Sequence, residues 1–391
     1  MIDATGGAER VALEIARIQA RRGADVTVAS MAPAAWHGNW KGVNLRHLQP
    51  YSWAKVSYRG RVKDFREHLS LAKFVRLNRF DLIHLHEYRR TRFFRNRPKV
   101  MHFHNNPLDG LAGAAFAEAA THYWRELGQS SAQIAVSSFV AQRLQLAHEQ
   151  AGNATPAANI VVNQSGVDAD ALSRAQRLDA RERVRRELGL TDTDVLFMFA
   201  GAIRPEKGVV QLAQAFSKLS EEHDNAFLAM AGGSKLWIDG HGPQQTTEQQ
   251  VRDILAGATA RQRASLLGII SPTILPSYYA AADAFVLPSM FQETFGLVIL
   301  EAFAAGIPVI GARSGGVPEL VKDNKNGLLV DQGDVEGLYR AMGRLLRDHQ
   351  LRERLGAEGR QTAVNMSWDN TVDRLEPVYH EVLTSRSFRP L

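Results

Sequence analysis

Hydrophobic positions fall into two alternating patterns along most of the chain. Short unbroken apolar runs, such as "VLFMFA", "AFLAMA" and "AFVL", alternate with longer segments whose apolar residues recur every three or four positions. The first pattern marks buried strands and the second amphipathic helices. Their alternation predicts a parallel α/β architecture. "GGAERVALEIARIQARRG" puts Val11, Ile15 and Ile18 on one helix face, with Gly23 as its stop. Strands are then expected at "DVTVAS", "DLIHLHE", "KVMHFH", "AQIAVS" and "NIVVNQSGVD", with helical character around 61–78 and 111–128. The second half repeats the scheme with strands at "VLFMFAGAI", "AFLAMAGG", "LLGII", "AFVLPS", "IPVIGA" and "GLLV", and helices fill 334–385. "SKLWIDGHGPQQTTEQQ", at 234–250, reads as an exposed loop after a strand, where open α/β sheets line their ligand clefts.

At 391 residues, 45% of them hydrophobic, the chain suits two domains of ordinary size. The charged stretch "ADALSRAQRLDARERVRRELGLTDTD" holds no buried strand and reads as a linker with the first helix of the second domain. The expected boundaries are 1–170 and 171–370, with a last helix at 371–391. Cysteine is absent, which removes disulfides, thiolate metal sites and cysteine nucleophiles. No apolar run of about 18 residues occurs, and "MIDATGGAERVALEIA" lacks the order of a secretory signal. The expected location is therefore the cytoplasm. The net charge of +6 is uneven: from Arg46 to Lys99 there are 15 Lys/Arg against four Asp/Glu. That stretch is either a solvated face or a surface for anionic lipid headgroups, each basic residue adding about 1 kcal/mol near such a leaflet. No nucleic-acid motif accompanies it, so no nucleic-acid partner is expected.

The chemistry concentrates in "FQETFGLVILEAFAAGIPVIGARSGGVPEL" at 291–320. Glu293 lies in a turn after the strand "AFVLPS", and a helix starts near Phe295, with Gly306 as its stop. Glu301 then sits inside an apolar helix, where a carboxylate is costly unless something bonds to it. The turn lies at the carboxyl edge of the sheet, and a helix start there offers unpaired N–H groups to a phosphate. A ribose diol donates two hydrogen bonds and would satisfy Glu301; a structural ion pair would satisfy it equally. "RSGGVPEL" adds a turn at Ser314, Gly315 and Gly316, a further set of backbone donors for phosphate or sugar. "GAIRPEKGV" brings Arg204 and Lys207 to the same edge, where two cations would neutralise a departing diphosphate.

These residues resemble glycosyltransferase family 4, retaining enzymes with an E-x7-E motif. "ETFGLVILE" matches that motif. "GAIRPEKGV", "YYAAADAFVLPS", "EAFAAGIPVIGARSGGVPELV" and "NGLLV" stand in the family's order, and "GGAERVALEIARIQARRGADVTV" is similar to its opening. The resemblance implies an α/β GT-B fold: two doubly wound Rossmann-like domains facing a central cleft, acceptor on the first, nucleotide sugar on the second. The final helix then crosses back to the first domain. It implies that Glu301 holds the donor ribose and that Glu293 contacts the transferred sugar. The backbone of Thr294, Phe295, Gly296 and Leu297 would touch sugar and phosphate, Lys207 the phosphate, and Gly6 and Gly7 would face the diphosphate. Ala202 stands where the family arginine usually follows the strand glycine, so Arg204, two residues on, is the substitute. His104, in "MHFHNNP", matches a histidine that faces the reaction centre in many members. Of four histidines near this edge (His84, His86, His102 and His104), it is the one next to the loop.

Two D-x-D matches, "DAD" at 168–170 and "DTD" at 192–194, resemble metal-binding pairs but sit at expected caps and turns. No metal or cofactor is expected beyond the donor substrate. The expected reaction moves a hexose-type sugar, with retention, to a saccharide or lipid-linked saccharide of the cell envelope or an exopolysaccharide. The alternatives are a GT-B epimerase or phosphorylase. A dinucleotide-dependent oxidoreductase would need a G-x-G-x-x-G after a strand, and none is present. Trp36, Trp40, Tyr51, Trp53 and Tyr58, before or within the basic stretch, favour an acceptor approached from a membrane surface.

Overall fold

The computed structural model describes residues 7–30, 38–48, 73–86, 97–105, 132–150, 160–171, 174–233, 244–257 and 262–384. Gly6, Trp36, Tyr51, Trp53 and Tyr58 lie outside the described residues, as do positions 49–72 and 87–96 of the basic stretch and the helix expected at 111–128. Contacts divide the chain into two compact units, Met1–Ser165 with Trp368–Leu391, and Gly166–Ser367.

In the first unit a parallel sheet runs in the order β4 (Ile83–Leu85), β5 (Lys99–Phe103), β6 (Ala132–Ala135), β7 (Ile160–Val162). A smaller sheet pairs β1 (Thr27–Ser30) in parallel with β3 (Val43–His47), which pairs antiparallel with β2 (Gly38–Trp40). The β2–β3 hairpin is absent from the pattern-based reading. It turns at Lys41 and Gly42, both at positive φ, and buries only Val43 and Leu45 of its second strand, too little to form an apolar run. The helix Gly7–Arg21 buries Val11, Leu13, Ile15, Ala16 and Ile18. Just after it, Arg22 pairs with Glu376 at 2.6 Å, Asp373 at 2.7 Å and Asp369 at 3.3 Å on the helix Trp368–Thr384. Glu376 foremost raises its already high pKa. Arg374 of that helix donates to Asn163 beyond β7 at 2.9 Å. These bonds and Tyr379, described below, fasten the last helix to the first unit.

The second unit is one parallel sheet in the order β10 (Ala264–Gly268), β9 (Ala226–Ala231), β8 (Val195–Ala200), β11 (Ala284–Leu287), β12 (Val309–Ala312), β13 (Gly327–Val330). Counted within the unit this is 3-2-1-4-5-6, the doubly wound order, and its switch point falls between β8 and β11. Phe197, Phe199, Phe216, Val286 and Ile310 are buried together in its core, each contributing about 1.5–3 kcal/mol by leaving water.

The charged stretch after Asp170 is part of this unit: in the helix Arg174–Glu187, Arg185 is buried and reaches Asp283 at 3.0 Å and the carbonyls of Thr191 and Asp194 at 2.7 Å each. Arg181 joins Asp283 at 2.7 Å. Asp283 also accepts from the Leu196 N–H at 2.7 Å, so the arginines brace the amino edge of the sheet. The segment expected as a loop at 234–250 yields to a helix at Gln244–Ile254. Thr247, Val251 and Leu255 form one buried stripe four residues apart, which a glutamine-rich composition conceals.

Three of the four D-x-D aspartates are engaged locally. Asp194 accepts from the Thr191 N–H at 2.6 Å and its hydroxyl at 2.8 Å, and pairs with Arg263. Burial would raise its pKa, but these partners carry it below the ordinary value. Asp168 caps the Asp170 N–H at 3.1 Å, and Asp170 pairs with Arg360 at 2.6 Å.

Candidate active site

The carboxyl ends of β8 and β11 bring together two loops that are some ninety positions apart in the chain. After β8, residues 201–208 form a turn that carries Arg204 and Lys207, and a 3-10 turn at Pro205–Lys207 leads into the helix Val209–Glu222. After β11, residues 288–296 carry Glu293 into the helix Leu297–Ala305. The loops are stitched through the Glu206 carbonyl, which accepts from the Met290 N–H at 2.8 Å and the Phe291 N–H at 3.3 Å. Gly208 sits at φ 69°, and a Cβ there would come within 1.9 Å of the Pro288 carbonyl oxygen. Only glycine permits both the turn and the close approach.

At this junction Lys207 Nζ donates to Glu293 Oε2 at 2.9 Å and lies 4.4 Å from the centroid of the Phe291 ring. The Ser289 hydroxyl donates to the same Glu293 oxygen at 3.2 Å. Both charged side chains are partly buried, 27% and 12% exposed, so the pair holds a cation and an anion at the switch point with limited access to water. Arg204 turns to Glu206 at 3.2 Å. Burial raises the Glu206 pKa, but its own backbone N–H, Arg204 and Lys207 together hold it below the ordinary value.

The third loop corrects an expectation. The Gly315 and Gly316 N–H groups, expected to be donors for phosphate or sugar, are already bonded. Gly316 donates to the Glu293 carbonyl at 2.7 Å and Gly315 to the Gln292 side-chain oxygen at 2.8 Å. A Cβ at Gly315, φ 49°, would lie 2.1 Å from the Glu293 carbonyl oxygen. The "RSGGVPEL" turn therefore braces the Glu293 loop. Gln332 supports it further, donating to the carbonyls of Ser289 at 3.1 Å and Phe291 at 3.2 Å; no sequence signal marked this residue.

The helix begins at Leu297, two residues later than expected, with Gly296 as its N-cap. Thr294 and Leu297 are half-buried at its start, and Phe295 and Gly296 are buried. Glu301, one turn in, accepts from the Tyr279 hydroxyl at 2.9 Å. A phenol thus orients the carboxylate that the sequence left open between a ribose and an ion pair.

The expected residues of the first unit are placed separately. Gly7 opens the helix Gly7–Arg21 and is exposed. His104 lies just past β5, half-buried, and its Nε2 is 2.7 Å from His86 Nδ1. His84, His86, His102 and His104 form one stack, with neighbouring ring centroids 4.2–5.4 Å apart. Desolvation, with their mutual repulsion when charged, holds the pKa of His84, His102 and His104 well below 6.5, and burial takes His86 to about 4. All four rings are neutral near pH 7. The stack extends beyond the single histidine that the sequence favoured. The alternation in "HLH" and "HFH" placed pairs on one face; strand register, which sequence does not reveal, joined the pairs.

The comparisons agree with this architecture. Residues 5–171 match the model of glycosyltransferase family 4, and residues 180–362 match that of glycosyl transferases group 1. A GDP-mannose-dependent alpha-(1-6)-phosphatidylinositol monomannoside mannosyltransferase of Mycolicibacterium smegmatis is 32% identical over 69% of this chain and 71% of its own length. The chain belongs to glycosyltransferase family 4. A D-inositol 3-phosphate glycosyltransferase of Corynebacterium efficiens is 35% identical over 53% of this chain and 47% of its own, so the chain spans about half the length of such relatives. Among solved structures, HepE of Anabaena in complex with UDP and glucose superposes with a TM-score of 0.77 at 20% identity, over 97% of this chain and 98% of that one. The fold is that of the GT-B glycosyltransferases.

Proposed function

We propose that the protein is a retaining glycosyltransferase that takes a hexose-type sugar from a nucleoside diphosphate sugar held at the β8/β11 switch point. The observation that carries this reading is the convergence of Lys207, Glu293 and the N-terminus of the helix Leu297–Ala305, with Glu301 one turn further on. In this reading Glu301, oriented by Tyr279, accepts from the ribose hydroxyls. Lys207 exchanges Glu293 for the diphosphate, and the N–H groups around Thr294, Phe295, Gly296 and Leu297 complete the anion site. Glu293, released from Lys207, turns to the hydroxyls of the sugar. Arg204 stands by as a second cation. Charge on the leaving diphosphate is met by these side chains and the helix start, with no metal required at this site. Asp168, Asp170 and Asp194 of the D-x-D pairs already have partners, which supports that reading.

The acceptor in this reading is a saccharide or lipid-linked saccharide of the cell envelope, reached by peripheral contact of the basic stretch 46–99 with an anionic membrane. The mycobacterial relative, by its name, acts on a phosphatidylinositol mannoside. No helix among the described residues is long and apolar enough to cross a membrane.

The test is a thermal-shift panel of uridine and guanosine diphosphate sugars, followed by product analysis with the sugar that stabilises most. A stabilising donor whose anomeric configuration is kept in the product supports the proposal. Free sugar phosphate, an epimerised nucleotide sugar, or no stabilisation by any donor counts against it. Cosedimentation with liposomes at low salt, with and without anionic lipid, tests the membrane contact; equal binding to both refutes that part.

A further inference from the structure

The histidine stack of the first unit has a feature that its neutrality does not explain. His84, His86 and His102 bring ligand nitrogens within 4.8 Å of one another. Strand register causes this. β4 and β5 pair in parallel with His84 beside Val100 and Leu85 beside Met101, which carries His86 next to His102. Residues two apart on a strand share a face, so all three rings lie on one side of the sheet.

The partners of these nitrogens divide into two kinds. The outer nitrogens are held: the Tyr379 hydroxyl is 2.8 Å from His84 Nδ1, and His104 Nε2 is 2.7 Å from His86 Nδ1. The inner ones are not: His84 Nε2 and both ring nitrogens of His102 are buried without a hydrogen-bond partner among the described residues. A buried polar atom left unpaired costs about 1–3 kcal/mol, and here several such atoms converge. A histidine that ligates a metal through one nitrogen has the other fixed by a hydrogen bond, which sets the tautomer and aims the ring. Tyr379 and His104 stand in that relation to His84 and His86.

We infer that His84, His86 and His102 form a three-histidine site for a late first-row divalent cation, zinc foremost, towards the carboxyl edge of the parallel sheet of the first unit. Three imidazoles without a thiolate or carboxylate suit zinc and its neighbours in the series and are poor ligands for magnesium or calcium. Three protein ligands leave a fourth position open to water or to an oxygen of a bound molecule. The inference is independent of the proposed donor site, whose Lys207, Glu293 and Glu301 belong to the other unit.

The test uses full-length protein without a histidine tag, stripped with a chelator and titrated with Co2+ alone while visible absorption is followed. The expected result is one equivalent bound, with the intense bands of a tetrahedral ion, displaced by one equivalent of Zn2+. His102→Asn abolishes the bands. Tyr379→Phe, which leaves all three ligands in place, weakens affinity by about 10–100-fold, and it decides the matter if His102→Asn does not fold. Absence of a stoichiometric site overturns the inference and leaves a stack of neutral imidazoles. Binding unchanged in Tyr379→Phe, or in a folded His102→Asn, likewise overturns it, because the ion then sits on other histidines.

Discussion

The two units treat buried polar groups in opposite ways. In the second unit, ionised groups are paired: Lys207 with Glu293, Arg185 and Arg181 with Asp283, Arg263 with Asp194. In the first unit, the parallel sheet buries four stacked histidines in their neutral forms. Paired charges at a sheet edge can be exchanged for the charges of a ligand. Neutral imidazoles can accept or donate a hydrogen bond, or bind a cation, without first losing an ion pair. The difference suits one unit to handling anions and the other to uncharged or metal-bound groups.

The strongest way to break this contrast is Lys207→Ala. If the pair with Glu293 is a resting arrangement that a diphosphate replaces, its loss removes a charge that acts on the leaving group. The expected fall in kcat is on the order of 10²–10³-fold, the scale of one lost electrostatic donor in a transition state, with a smaller change in KM for the donor. Steady-state transfer kinetics measure both. Unchanged kcat would reduce the Lys207–Glu293 pair to a structural one and remove the functional side of the comparison.

Glu301→Ala comes next. Hydrogen bonds to a charged group contribute about 1.5–3 kcal/mol each, so losing a carboxylate that binds a diol should weaken nucleotide binding on the order of 10²-fold. Calorimetry with the bare nucleoside diphosphate isolates this from sugar contacts. An effect equal for nucleotide and free phosphate would place Glu301 away from the ribose.

How much of this was legible from the sequence follows the same division. The Glu293 and Glu301 positions, the helix between them and its glycine stop could be read because they rest on local signals: strand, turn, cap and period. The Lys207–Glu293 bond could not be read, because it joins loops on strands that become neighbours only through the doubly wound order, with β9 and β10 intervening in sequence. The bracing role of Gly315 and Gly316 was hidden for the same reason: a glycine turn that serves a ligand and one that serves a neighbouring loop look alike in sequence. The β2–β3 hairpin and the helix Gln244–Ile254 escaped because each buries too few apolar residues to show a period. In the first unit, alternation showed that His102 and His104 share a face, but the β4–β5 register that sets His86 against them is a tertiary fact.

Lys99 tests the other side of the comparison. Its side chain is fully buried in β5, and its pKa falls from about 10.5 to about 8 by desolvation. Below pH 8 the folded and unfolded states are both protonated, and the cost of burying the charge is present in full. Between about 8 and 10.5 the unfolded chain holds the proton that the folded one has released, so stability rises with pH across that window. Lys99→Met removes that slope. Denaturant unfolding at pH 7 and pH 9 measures it as the difference in stability between the two. A variant that kept the full slope would place its origin at another group.

The smallest effect concerns what the two units share. Each has one tyrosine hydroxyl bonded to a group of its proposed site: Tyr279 to Glu301 at 2.9 Å, and Tyr379 to His84 at 2.8 Å. Tyr279→Phe keeps the ring and removes one hydrogen bond, worth about 0.5–1.5 kcal/mol net. Nucleotide affinity should fall by roughly 2- to 10-fold, and kcat should hold, since the carboxylate remains and only its orientation is loosened. Tyr379→Phe should leave nucleotide affinity unchanged, because its hydroxyl serves an imidazole of the first unit. If Tyr279→Phe matched the loss seen in Glu301→Ala, the phenol would itself be a nucleotide ligand. If it left affinity unchanged, the carboxylate would be positioned by the helix alone, and only the tyrosine of the first unit would act as an aiming device.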